Sequence, residues 1–139
     1  MTQTPVQPKT HPQTTWAATE ILDKLTATLP VATTDWQRDA LAALNDGQYS
    51  RCKIYPCLAL EDPFVKAIGY MSSIPTVIAK GVPTLPTLIG ESCRAIAEAC
   101  YLHALNTGTN EDEAHAAKQK AAGTLENLNQ EIFVKGLGR

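Results

Sequence analysis

The cysteines are the residues of this 139-residue chain best suited to metal or redox chemistry. They stand at Cys52, Cys57, Cys93 and Cys100, and His103 follows the last of them. Structural zinc sites usually pair cysteines about two to four residues apart in each half, a spacing that the first pair meets only at its edge. On a helix, Cys93 and Cys100 would share one face, as small core residues do. The spacing favours buried thiols, with zinc or a disulfide as the alternatives.

Two histidines form the second candidate group. His103 and His115 lie on two predicted helices, on either side of the short break between them, where they could meet as a catalytic or metal-binding pair. Partly exposed helix-end residues are the simpler interpretation, and His115 can pair with Glu111 one turn earlier. The acidic run from Glu111 to Glu113 complements a helix N-terminus without needing a cation.

Compact catalytic motifs are absent from the sequence. It contains no glycine-rich phosphate loop and no HExxH, GxSxG or CxxC motif. The adjacent Glu61 and Asp62 do not face the same way, so they read as a solvated turn before a helix. The serines form no arrangement with a histidine and an acid, and Ser92 is expected on a polar helix face. We therefore predict that the chain is not an enzyme and has no catalytic, cofactor-binding or metal-binding residues.

Aromatic residues mark two possible contact surfaces. Tyr49, Arg51, Lys53 and Tyr55 alternate in a patch that could touch a phosphate or a partner, although the solvated edge of a short strand is the interpretation we favour. Trp16 and Trp36 each stand in the first turn of a predicted amphipathic helix. Burial within a helical hairpin is the expectation for both, and an exposed tryptophan would instead mark an interface.

The composition of the chain argues against several classes of protein. The net charge is −2 and the sequence pI is near 5.9, which argues against a protein whose main role is to bind nucleic acid. Aromatic content of 6% leaves few platforms for stacking bases. Hydrophobic content of 44% excludes a wholly disordered chain, and no apolar run is long enough to predict a membrane span.

The first fifteen residues are rich in proline and threonine and lack the apolar stretch of a secretory signal. They also lack the arginines of a mitochondrial transit segment. We expect an extended or disordered arm over 1–15 and cysteines that stay reduced as thiols in a cytosol.

Apolar periodicity predicts a mainly α fold, a small antiparallel bundle of four to five helices. The predicted helices cover 16–29, 35–44, 63–73, 85–106 and 111–132, and the first two form a hairpin. Thr34 with Gln37, and Asn110 with Glu113, have the capping-box spacing, and Pro63 suits a first helical position. We divide the chain into the arm 1–15, a bundle domain 16–132 and a tail 133–139.

The middle of that domain, residues 48–84, is predicted as a long proline-containing loop excursion that includes the helix 63–73 and connects two helical halves. It could hold short strands at 51–55 and 76–80. Beyond it, small alanines should let the two last helices approach closely as an antiparallel pair. The predicted seam of the last helix is Ala114, Ala117, Ala121, Leu125, Leu128 and Ile132.

The stretch 82–128 combines a proline, a long apolar helix, an acidic turn and an alanine-containing helix. The residues that carry this pattern are Pro86, Cys93, Ile96, Ala97, Tyr101, Leu102, Glu111–Glu113, Lys120, Ala121 and Leu125. In this it resembles the C-terminal half of the small head-to-tail connector proteins of tailed bacteriophages, including a Mu-like group and the adaptors that dock under the portal. The resemblance covers about a third of the chain.

The resemblance implies a structural virion protein of the neck region, made in the host cytoplasm. Such a protein is a helical bundle that assembles as a ring, usually twelvefold, between the portal protein and a tail or stopper protein. It has no catalytic residues and no membrane contact, and its arms and loops reach neighbouring subunits. A modest negative charge suits a lumen through which DNA passes without specific binding. The alternatives are a tail terminator or completion protein, a capsid-decorating protein, and a small cytosolic helical adaptor or regulator.

Overall fold

The computed structural model describes residues 16–53, 62–81 and 84–131, and over these residues the chain is mainly helical with no strand. This confirms the predicted fold class. The α-helices are α1 (Trp16–Thr26), α2 (Asp35–Asn45), α3 (Pro63–Met71), α4 (Ile74–Lys80), α5 (Leu85–Asn106) and α6 (Glu111–Glu131). A 3-10 helix, Tyr49–Lys53, follows α2. The predicted arm 1–15 and tail 133–139 lie outside the described residues.

Helix α1 ends earlier than predicted. In the last residues before Pro30 the backbone hydrogen bonds join residues three apart, as in a 3-10 turn. Leu29 N donates to Thr26 O at 3.1 Å, directly before this proline. Proline has no N–H to continue the helix and disfavours helical geometry in the residue before it. The buried face of α1, Ala18, Ile21, Leu22 and Leu25, joins the common core, and α1 packs most closely on α4. The predicted close hairpin of α1 with α2 is therefore wrong.

Helix α2 begins at the predicted cap. The Thr34 side chain accepts a hydrogen bond from Gln37 N at 3.2 Å. The Gln37 side chain reaches back one residue further than in a standard capping box, because its Oε1 accepts from Thr33 N at 2.8 Å. The helix ends at Asn45, where Gly47 turns the chain with a φ of 75°.

Helices α3 and α4 occupy part of the region predicted as a loop. Asp62 caps α3 by accepting from Phe64 N at 2.9 Å, and Pro63 takes the first helical position, as predicted. Residues 76–80 belong to α4, so the predicted strand or loop there is wrong. Pro75 stands in its first turn and Gly81, with a φ of 67°, ends it in the left-handed conformation.

Helices α5 and α6 form the predicted antiparallel pair. The turn between them is held by Thr109 Oγ1, which donates to Ala104 O at 2.7 Å, and by Asn110 Oδ1, which accepts from Glu113 N at 2.8 Å. The seam residues Ala114, Ala121, Leu125 and Leu128 are buried, Ala117 is half-buried, and Ile132 lies outside the described residues.

Helix α5 lies at the centre of the bundle, because α3 and α4 contact it from one side and α6 from another. Its buried surface is therefore wider than one apolar stripe. Ser92, predicted on a polar face, is fully buried and donates its hydroxyl hydrogen to Leu88 O at 3.0 Å.

Candidate functional site

The described cysteines occupy apolar surroundings. Cys52 is buried, with its Sγ 3.9 Å from Ala40 O, and Cys57 lies outside the described residues. Burial raises the pKa of Cys93 from its ordinary 9.0 to about 11, although the Arg94 charge lowers it in part. Burial also raises the pKa of Cys100. A thiolate is the form that attacks or binds metal, so this environment disfavours both reactions at neutral pH.

The two histidines have different neighbours. His115 lies against the Tyr101 ring, with centroids 4.9 Å apart, and its Nε2 is 3.8 Å from Glu111 Oε2. His103 lies on α5 and lines a cleft beside α2 and α3. Within the described ranges no group of three or more histidine, cysteine, aspartate or glutamate side chains is placed to hold a metal ion.

The predicted basic and aromatic patch is only partly described. Its residues 49–53 form a 3-10 helix, so the predicted strand edge is wrong over that range. Tyr49 is half-buried, and the exposed Arg51 donates to Gln48 Oε1 at 2.7 Å. The Lys53 side chain and Tyr55 lie outside the description.

Trp36 is the predicted site residue with the clearest exposure. The prediction of burial is wrong, because 40% of this residue is accessible to solvent. Since α1 packs on α4, it does not cover the first turn of α2 as a hairpin partner would. The Trp16 side chain lies outside the description.

Trp36 lies on the rim of a cleft formed by the starts of α2 and α3 and the C-terminal half of α5. We call it the Trp36 cleft; its volume is about 260 Å³. Val31, 73% exposed, lies on the same rim. The lining residues are Pro30, Val31, Thr33, Thr34, Trp36, Gln37, Asp62, Pro63, Phe64, Ala99, Leu102, His103 and Asn106.

The Asp62 carboxylate organises this cleft. Its Oδ2 accepts from Trp36 Nε1 and from Gln37 Nε2, each at 3.1 Å. Its Oδ1 accepts from the backbone N–H groups at the start of α3. All these donors are neutral, so they fix the indole ring in place and leave the carboxylate charge beside an apolar rim.

A second, shallower groove of about 540 Å³ runs between α5 and α6. Cys93, Arg94 and Glu98 line it from α5, and Lys118 and Leu125 line it from α6. Lys118 Nζ bridges the two helices by lying 3.0 Å from Glu98 Oε1 and 5.8 Å from the centre of the Tyr101 ring. The contacts between these helices are thus apolar at the seam and ionic at its edge.

The Trp36 cleft is not predicted by any pattern in the sequence. Asp62 contacts Trp36 across 26 positions in sequence, and no local pattern reports such a contact. The sequence feature that could have indicated the site is the tryptophan itself. Its helical spacing from Ala40 and Leu44 instead placed it in the predicted buried stripe of α2.

Comparisons with protein families, curated proteins and solved structures gave no match for this chain. No helix in the described part of the chain has the length and hydropathy required to cross a bilayer.

Proposed function

We propose that this chain is a structural protein that works by assembling with copies of itself, and specifically that it is a head-to-tail connector of a tailed bacteriophage. In this role it forms a ring, about twelvefold, between a portal protein and a tail or stopper protein. The resemblance over 82–128 supports the specific role, and the mainly helical bundle is compatible with it.

The outward face of α6 is the observation that carries the proposal. Helix α6 packs closely only against α5 among the described elements, so the opposite face of a 21-residue helix meets solvent. That face is charged at its start and edges, at Asp112, Lys120 and Glu126, and uncharged between them. Its exposed uncharged residues are Ala116, Gln119, Gly123, Asn127 and Gln130.

Gly123 makes this face unusual for a solvated surface. Glycine in a helix interior costs about 1 kcal/mol relative to alanine. A Cβ at Gly123 would meet no described atom within 4 Å, so the bundle itself gives no packing reason for the glycine. A helix of a second copy that approached this face closely would supply that reason.

The experiment is a measurement of mass and shape on the full chain. Light scattering coupled to size exclusion should give a mass several times 15.0 kDa, and negative-stain images should show rings of about twelve copies. A sixfold ring would replace the connector role with a tail terminator. A monomer at every concentration tested would refute assembly altogether.

A further inference from the structure

We propose that the Trp36 cleft binds residues 5–12 of the same chain, as an extended proline-rich segment that crosses the exposed face of the Trp36 ring. The inference does not depend on the proposed function, because it concerns a contact within one copy and a surface other than the outward face of α6.

The cleft has the chemistry of a proline-binding groove. Sites that take proline-rich segments are grooves lined by aromatic side chains, against which the rings of proline pack. Here the Trp36 ring is exposed but held by its hydrogen bond to Asp62, so it loses little freedom when a ligand packs on it. Pro30, Val31 and Pro63 add apolar surface to the same cleft.

The chain itself carries a segment with the complementary chemistry. Pro5 and Pro8 have the PxxP spacing, and Pro12 follows after three further residues. Proline restricts the backbone to the extended form that such grooves bind, which lowers the entropy lost on binding. Lys9 stands directly after the PxxP unit and matches the negative charge of the Asp62 carboxylate, whose described partners are all neutral.

The segment can reach the cleft within one copy. The eleven residues of α1 rise about 16 Å, and the chain enters the cleft wall at Pro30 just beyond the end of α1. Trp16 stands eight positions after Pro8, and a stretch of this length can span roughly 26 Å. A tether this short gives an effective concentration of millimolar order, so even a weak contact would be filled.

Acrylamide quenching of Trp36 fluorescence tests this contact in the full chain. Trp16→Phe leaves Trp36 as the single tryptophan, and Trp16→Tyr serves if the phenylalanine variant loses helicity by circular dichroism. In that background, Pro5→Ala/Pro8→Ala/Lys9→Ala should raise the quenching constant at least twofold. The matched control Thr2→Ala/Thr4→Ala, outside the segment, should leave it unchanged. Equal quenching in all three proteins would overturn the proposal.

A synthetic peptide of residues 4–13 provides the second test. Added to the triple-alanine protein, it should lower the quenching constant saturably. Val31→Lys in that protein removes apolar surface and repels Lys9 of the peptide, so it should weaken peptide binding at least fivefold. In the chain with its own segment intact, the protection of Trp36 from acrylamide should not change between about 1 and 100 µM protein. Protection that grows with protein concentration would overturn the assignment to the same copy, and a peptide without effect would overturn the site.

Discussion

Asp62 joins α2 to α3 through a single carboxylate that also fixes the indole of Trp36. Its cap on α3 follows from local sequence, because aspartate before proline is a typical helix start. Its bonds to Trp36 and Gln37 are long-range and depend on how the helices pack. At this scale the sequence therefore predicts the cap residue but not the site that the cap helps to build.

Removing the carboxylate tests how much this residue contributes. Asp62→Ala should lower the free energy of unfolding by about 1–2 kcal/mol, since it loses the cap of α3 and the partners of two side chains. Asp62→Asn keeps an oxygen at the cap and should cost less than half as much. Urea denaturation followed by circular dichroism measures both, and equal losses for the two variants would show that the cap is not the main contribution.

Cys93 gives a prediction about pH. Because burial raises its pKa to about 11, its alkylation by iodoacetamide near pH 8 should be roughly 100-fold slower than in the urea-unfolded chain. The fold favours the neutral thiol. The contribution of Cys93 to the free energy of unfolding is therefore fully present below pH 9 and is lost as the pH rises toward 11. Mass spectrometry of the labelled peptide gives the rate. Similar alkylation rates in the folded and unfolded chain would contradict the burial of the Cys93 thiol.

Among the elements, those with long apolar periods and clear caps were predicted well. Thr34 and Asn110 mark the starts of α2 and α6, and Asp62 with Pro63 marks that of α3. Helix α4 was missed because its seven residues are too few to show a period and lie between Pro75 and Gly81. The α1–α2 hairpin was wrong for a different reason. A short connection favours neighbouring helices, but the buried face of α1 finds its surface on α4.

The seam of α5 and α6 is where close packing should be most sensitive. Ala121 is 8% exposed at the centre of this seam, so Ala121→Leu should overpack it and cost about 1–3 kcal/mol. The neighbouring Ala122→Leu adds the same atoms at an exposed position and should change stability by no more than about 0.5 kcal/mol. Thermal and urea unfolding compare the pair, and a neutral Ala121→Leu would place that residue outside the seam.

For the whole molecule, α5 separates two surfaces with different chemistry. Leu102 and His103 face the Trp36 cleft, while Arg94 and Glu98 face the groove toward α6. The Trp36 cleft combines an apolar rim with polar side chains and one carboxylate, which suits a short extended segment. The outward face of α6 is long and uncharged around Gly123, which suits another helix.

Substitutions at Gly123 test whether copies of the molecule assemble through the outward face of α6. Gly123→Leu should raise the helix propensity of α6 yet block a close approach by a second copy, so the monomer becomes more stable while rings are lost. Gly123→Ala should give a comparable gain of about 1 kcal/mol and, with one methyl group, keep more of the assembly. Light scattering measures the mass of each variant and urea unfolding its stability. Rings that persist in Gly123→Leu would contradict a close contact between copies at Gly123, because a leucine there would hold the two helices further apart than a glycine does.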